Sequence, residues 1–259
     1  MSRGALFIVY GTKADRVLER ARASVAKHHP ELPAEVVRLD AEHPQGLLRK
    51  PEMCELSPFD ETLFLDCDAM LLGRVDNVFE QAERYGLAAT ICECPWARRY
   101  QGSGLPLEST EWNTGVIGFS KNHRTTQLRY IDPDETAEHF FETWKRCAAT
   151  VDSSIVWAQD QGAGTLARME CNDQASFTAA LEECNLNPAA LPLNYNFRPD
   201  WHRTWFGPLK VWHSYRDPPP LVLQWAAYYE QPNAVVQFHD LDRLAPPKMD
   251  LLYAPEKFR

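Results

Sequence analysis

The chain has 259 residues, enough for one large α/β domain. Its 44% hydrophobic and 24% charged residues suit an ordinary soluble globular protein, and no apolar run reaches the roughly 20 residues of a membrane helix. The net charge of -9 argues against a general nucleic-acid binder, and seven cysteines without paired spacing suit a reduced, cytoplasmic setting rather than a disulfide framework.

Leu6 to Tyr10 reads as a buried strand that starts almost at once, leaving no room for a secretory signal, and Gly11-Thr12 reads as the turn leaving it. Val17, Leu18, Ala21 and Val25 lie at helical spacing within 15–29, and Pro30 and Pro33 end that helix. Glu35 to Leu39 is a second strand. Residues 41–58 form a proline-bearing connection with a short helix, and Leu63-Phe64-Leu65 is a third strand. Asp76 caps a helix built on Val78, Phe79 and Ala82 and closed by Gly86; Leu87 to Cys92 is the next strand. This order predicts a mixed, mostly parallel sheet with helices on its faces.

Residues 93–110 break the pattern, and a long irregular stretch in a compact domain is often functional. Cys92-Glu93-Cys94 is too close for a structural zinc pair and reads better as buried thiols. Val116 to Phe119 resumes strand character after Asn113-Thr114-Gly115. Asp134 opens a helix carrying Ala137, Phe140, Phe141, Trp144 and Ala148 on one core-facing stripe. Further helices are expected near 158–169 and 175–184, then a short strand over 209–212. The tail, 221–259, reads as a helix followed by an irregular wrap. The whole is expected to be one domain, with lobes over 1–120 and 121–220.

Asp66-Cys67-Asp68 follows the third strand directly. Residues two apart on a strand point the same way, so both carboxylates project from one side of its end. Two carboxylates are costly to bury without a partner, and a hard divalent cation is one natural partner for such oxygens. An acidic turn without a ligand is the plainer reading of the tripeptide taken alone.

Other short patterns follow in order: Val9-Tyr10-Gly11-Thr12, Lys50, Asn113-Thr114-Gly115, Asp160-Gln161, Leu191-Pro192-Leu193-Asn194-Tyr195-Asn196 and Trp212-His213-Ser214. With Asp66-Cys67-Asp68, this series resembles the nucleotide-sugar glycosyltransferases of the GT-A fold, over about residues 5–220. It is most similar to the retaining family 8 group that includes glycogenin and the lipopolysaccharide galactosyltransferases. Cys67 departs from the small residue usual at its position.

The resemblance implies an enzyme that moves a sugar from a nucleotide diphosphate, UDP being favoured, to an acceptor hydroxyl with retention. It implies Mn2+ or Mg2+ on Asp66, Asp68 and His213, with Asp66 also near the ribose. Tyr10, Gly11 and Thr12 would hold base and ribose, Lys50 would face the phosphates, and Asn113, Thr114 and Gly115 would face the donor sugar or acceptor. Asp160 and Gln161 would lie beneath the donor sugar as the catalytic pair. Each has a plainer alternative: Lys50 a solvated lysine beside Arg49, His213 a half-buried histidine, Asp160 a helix cap, the two glycine-bearing segments ordinary turns. The acceptor is open among glycan, peptide and small molecule, with nucleic acid disfavoured; residues 93–110 and 198–206 are the candidate acceptor loops. The competing class is a nucleotide-sugar or glycan binding protein without turnover. A nucleotidyltransferase ranks lower, because Tyr10-Gly11-Thr12-Lys13 is not a glycine-rich phosphate loop.

Overall fold

The computed structural model describes residues 1–41, 45–92, 105, 108–121, 123, 137–151, 155–158, 166–169, 172–199, 202, 204–220, 222–223, 235–239 and 248–251. In chain order the elements are β1 (Arg3–Tyr10), α1 (Asp15–His28), β2 (Ala34–Leu39), α2 (Gln45–Leu48), α3 (Met53–Leu56), β3 (Glu61–Leu65), β4 (Ala69–Leu71), α4 (Asp76–Tyr85), β5 (Leu87–Ile91) and β6 (Trp112–Ser120). There follow α5 (Ala137–Thr150), β7 (Ile155–Ala158), β8 (Leu166–Met169), α6 (Asp173–Glu183), β9 (Ala189–Leu191), β10 (Thr204–Phe206), β11 (Val211–His213), β12 (Val235–His239) and β13 (Lys248–Leu251). A 3-10 turn, Lys50–Glu52, leads into α3.

Six strands form the central sheet in the order β2-β1-β3-β6-β5-β9. β6 runs antiparallel to both its neighbours, and the other pairs are parallel. Alternation along β1 divides the core into two layers. Leu6 and Ile8 face the α5 and α6 side, with Phe140, Phe141, Trp144 and Phe177. Ala5, Phe7 and Val9 face the α1 and α4 side, with Leu18, Val25, Val78 and Phe79. Several aromatic rings on the first side meet edge to face, among them Trp144 on Phe177 at 4.8 Å. Trp144 is fully buried, and its indole N–H donates to Ser176. Truncation there would cost ~3–5 kcal/mol.

The sheet carries the site at one edge. The C-terminal ends of β1, β3 and β5 and the N-terminal end of the antiparallel β6 coincide there. Ligands bind at such strand ends in open α/β sheets. Beside this edge β4 pairs antiparallel with β11, which sets His213 opposite Ala69.

Several elements differ from the sequence expectation. Where a helix was expected near 158–169, the described Ala158 and Leu166–Met169 belong to β7 and β8, which pair as antiparallel strands, Ile155 opposite Met169. Leu166, Ala167, Arg168 and Met169 are good helix formers, so pairing with Ile155, Val156 and Trp157 overrides their propensity. The expected irregular tail contains β12 and β13, which join β10 in a three-stranded antiparallel sheet. Asn113-Thr114-Gly115 lies inside β6, at an irregularity in its pairing with β5, and is not a turn before it. Asp76 is the first residue of α4, and Val75 stands at the cap.

Candidate active site

The metal-candidate cluster is assembled by backbone pairing. The Asp66 N–H donates to the Gly115 carbonyl, carrying the β3–β6 ladder one step beyond β3. A tight turn follows, with the Ala69 N–H on the Asp66 carbonyl, and it brings the two carboxylates together. The β4–β11 ladder then delivers His213, and the Ser214 N–H closes on the Asp68 carbonyl at 3.0 Å. His213 Nε2 stands 3.2 Å from Asp68 Oδ1 and 3.7 Å from Asp66 Oδ2. The imidazole needs Gly115 beneath it, because a Cβ there would lie 2.2 Å from its Cε1.

A chain of amides fixes the sense of that imidazole. The Gly115 backbone N–H can only donate, and it donates to Asn113 Oδ1 at 3.0 Å. Asn113 Oδ1 therefore also accepts from Asn196 Nδ2, at 2.5 Å. Asn196 Oδ1 is then the acceptor that meets His213 Nδ1 at 2.7 Å, so Nδ1 carries the proton. In the neutral ring Nε2 presents its lone pair to Asp66 and Asp68, the arrangement of a metal-ligating histidine held by an outer partner. The same logic runs the other way: Asn113 Nδ2 donates to Gln174 Oε1, and Gln174 Nε2 donates to Glu111 Oε1.

Lys50 is buried rather than solvated. Its ammonium lies 2.7 Å from Asp66 Oδ1, 2.9 Å from Asp173 Oδ2 and 3.3 Å from Thr114 Oγ1. Burial opposes its charge, but Asp173 and Asp66 outweigh that and hold its pKa above the usual lysine range. Burial raises the pKa of Asp66 despite Lys50. Asp68 is shifted the other way: burial opposes ionisation, and the neighbouring His213 more than compensates. Burial likewise opposes charge on His213, and Asp68 prevails and raises it. Lys50 occupies one oxygen of Asp66 and leaves Oδ2 on the side of Asp68 and His213.

Among the described residues, Lys50 pairs with Asp66 and Asp173, two of the three carboxylates gathered here with Asp68. The surplus is negative, and one donor atom each from Asp66, Asp68 and His213 lies within 4.8 Å of the others. Cis ligands of an octahedral ion with bonds of about 2.1 Å stand ~3 Å apart, close to the separations seen here. The donor set therefore fits a divalent cation.

A cleft of about 550 Å³ opens beside the cluster. Tyr10, Gly11, Thr12, Lys13, Gly46 and Leu47 line it together with Lys50, Asp66, Cys67, Asp68 and Tyr215. Gly11 has a φ of 62°, a conformation that favours glycine. Tyr10 lies so close over Gly46 that a Cβ there would come within 2.2 Å of the ring. Burial and the nearby Asp66 raise the Tyr10 hydroxyl well above the usual range, so it keeps its proton. Burial and the same aspartates push Tyr215 up to about 12.

Tyr10, Gly11, Thr12, Lys50, Asp66 and Asp68 thus meet around one cleft, and His213 stands against the two aspartates. Asn113 and Thr114 are buried behind it: Asn113 bonds Gln174 and Asn196, and the Thr114 hydroxyl donates to Asp173 at 2.5 Å. They support the site from within rather than opening onto the cleft. Asp160 and Gln161 lie outside the described residues. A second Asp-Gln pair, Asp173-Gln174, stands at the site, with Asp173 on Lys50 and Gln174 on Asn113. The sequence patterns above do not include it, although Asn172 before it is a readable N-cap: its side chain accepts from the Gln174 N–H and starts α6 there. Asn196 is a further site residue that sequence patterns do not single out, since nothing local marks it as the partner of His213.

No protein-family model matches the sequence, and no curated protein sequence matches it. Solved structures do. Mouse xyloside xylosyltransferase 1, in its apo form, is 13% identical, with 85% of this chain and 99% of that chain covered at a TM-score of 0.51. The galactosyltransferase LgtC in complex with donor and acceptor sugar analogues is 14% identical over 87% of this chain and 93% of that one, at 0.47. The glycosyltransferase GlyE of Streptococcus pneumoniae TIGR4 is 15% identical at 0.45, and the match covers 76% of this chain but only 47% of GlyE, so the chain spans about half that protein's length. At such identities the likeness is one of architecture, and with the sheet order and the xylosyltransferase match it shows that this chain has the GT-A glycosyltransferase fold.

Proposed function

We propose that the chain is a metal-dependent glycosyltransferase that moves a sugar from a nucleotide diphosphate sugar, a UDP-sugar, to an acceptor hydroxyl with retention at the anomeric carbon. The observation that carries this reading is the cluster of Asp66, Asp68 and His213, whose two aspartates line the same cleft as Tyr10, with Nε2 of His213 turned toward both carboxylates. These three residues would hold Mn2+ or Mg2+. When bound, the cation offsets the negative charge that grows on the departing nucleoside diphosphate.

The protein's own groups have separate tasks. Tyr10, Gly11 and Thr12 bind the nucleoside end at the strand terminus, and Gly11 allows close backbone approach. Lys50 stays charged between Asp66 and Asp173 and fixes the orientation of both. Alongside Asp160 and Gln161, a second candidate pair for the donor sugar is Asp173 and Gln174, held at the start of α6 beside Lys50 and Asn113. Their orientation is set by Lys50, Thr114 and Asn113 before substrate arrives, and preorganised groups of this kind act without reorganisation cost. The five described cysteines that are free thiols favour a reducing, cytoplasmic setting.

The test is calorimetric titration with UDP- and GDP-sugars, with and without Mn2+, on the wild type and on Asp68→Ala, followed by turnover with candidate acceptors. Metal-dependent donor binding that Asp68→Ala abolishes, with sugar released or transferred, is expected. Donor binding without any turnover would instead establish a binding protein, and metal-independent binding would overturn the metal assignment.

A further inference from the structure

Arg20, on the buried side of α1, reaches both strands that carry the candidate metal ligands. One terminal nitrogen donates to the Ser214 carbonyl at 2.5 Å and lies 3.4 Å from the Asp68 carbonyl. The other donates to Asp217 Oδ1 at 2.7 Å. The two carbonyls belong to Asp68 itself and to the residue after His213. The Ser214 N–H already bonds the Asp68 carbonyl, so the guanidinium closes over the end of the β4–β11 ladder where the ligands emerge. Its side chain is only 15% exposed, whereas Arg16, one turn earlier on α1, is 83% exposed and comes no nearer than 3.9 Å to Asp217.

From this geometry we infer that Arg20 is a positioning residue for the metal site: it clamps the backbone of the Asp68 and His213 segments and so fixes the separation of their side chains. The inference rests on the proposed metal site and adds to it. A guanidinium suits the task, because its planar fork can bond two carbonyls and a carboxylate together, which an ammonium cannot do in one geometry. Ser214 is buried, so loss of Arg20 would leave its carbonyl without this partner and let the segment shift. Ligand placement tolerates only ~0.5 Å before a site loosens.

The sign of the effect separates clamping from simple electrostatics. Removing a positive charge close to a cation site should by Coulomb's law alone strengthen cation binding. Removing a clamp should weaken it. Mn2+ affinity is therefore measured by calorimetry on the full chain without nucleotide, for wild type, Arg20→Ala, Arg20→Lys, Arg16→Ala and Leu18→Ala, with melting temperatures recorded alongside. Arg20→Ala is expected to weaken Mn2+ binding ~10- to 100-fold, the range found for outer-shell partners. Arg20→Lys should recover only part of this, and Arg16→Ala should match wild type. Leu18→Ala removes a buried side chain from the same helix, and should lower the melting temperature while leaving Mn2+ affinity near wild type.

Wild-type or tighter Mn2+ affinity in Arg20→Ala would overturn the clamp and leave the metal site standing. Equal losses of affinity in Arg20→Ala and Leu18→Ala would also overturn it, by showing that the site responds to any loosening of α1. No Mn2+ binding by the wild type would overturn the metal site and the clamp together.

Discussion

Among the described residues, two clusters are made of the same parts, each with one histidine and two carboxylates. His213 with Asp66 and Asp68 stands at the strand ends, and His29 with Glu31 and Asp76 lies between α1 and α4. In the second cluster both ring nitrogens are occupied: Nε2 accepts the Val75 N–H at 2.9 Å and Nδ1 meets Glu31 at 3.1 Å. Arg74 then grips Asp76 with two hydrogen bonds and Glu31 with a third. This is a completed network that ties the end of α1 to the start of α4. In the first cluster Lys50 takes a single oxygen and Asn196 holds Nδ1 of His213, while Nε2 faces only the cluster's own carboxylates, 3.2 Å from Asp68. The difference teaches that residue types alone do not make a metal site. What counts is whether lone pairs remain turned toward one point after internal partners are satisfied.

The sharpest break of that comparison is Asp68→Ala against Asp76→Ala. Asp68→Ala should lower Mn2+ affinity by more than ~100-fold, beyond the range for outer-shell changes, while Asp76→Ala leaves it unchanged in calorimetry. Gly115→Ala comes next. A methyl group 2.2 Å from the imidazole must push His213 away, so Mn2+ affinity should fall strongly and overpacking should cost ~1–3 kcal/mol in denaturant unfolding. Asn196→Ala frees the His213 tautomer and should weaken Mn2+ binding ~10-fold or more, with a smaller change in unfolding midpoint.

A third histidine sharpens the contrast through pH. Burial and the neighbouring Arg198 hold His202 down to about 3, and its Nδ1 accepts the Arg198 backbone N–H. The folded state therefore binds fewer protons than the unfolded chain between about pH 6.5 and 3. Stability from this group is complete above the unfolded value and falls as the pH drops through that window. His202→Asn keeps a hydrogen-bond acceptor without the titration, so its stability relative to wild type should rise between pH 7 and pH 5 in urea unfolding. An unchanged difference at the two pH values would refute the assignment. The smallest effect is expected for Arg74→Ala. Because the His29 nitrogens stay engaged, calorimetry should show no second Mn2+ site, and the pairs lost are exposed ones of small consequence for melting.

Much of the frame is legible in the amino-acid pattern. Val17, Leu18, Ala21 and Val25 mark α1 because a helix repeats every 3.6 residues, and Pro30 marks its limit. Leu63-Phe64-Leu65 marks β3 because a strand buried on both faces reads as a continuous apolar run. The pairing of β7 with β8 is illegible because the second strand is built from helix formers, which the pairing holds extended. The N-terminal part of β6 is hidden in the same way, because asparagine and glycine are poor strand residues. They are tolerated there because Asn113 finds amide partners on α6 and at Asn196, and because Gly115 leaves room for the His213 ring.

By itself, then, the sequence determined the alternation of helices and strands, the paired carboxylates at the end of β3 and the histidine that could join them, since these rest on local periodicity and short motifs. Only the tertiary structure decided that Lys50 is buried between two aspartates, that Asp173-Gln174 stands in the site, and which nitrogen of His213 faces Asp68. Those facts depend on contacts between residues 16 to 123 positions apart. No local pattern encodes such contacts, because each partner's sequence neighbourhood is ordinary until the sheet brings them together.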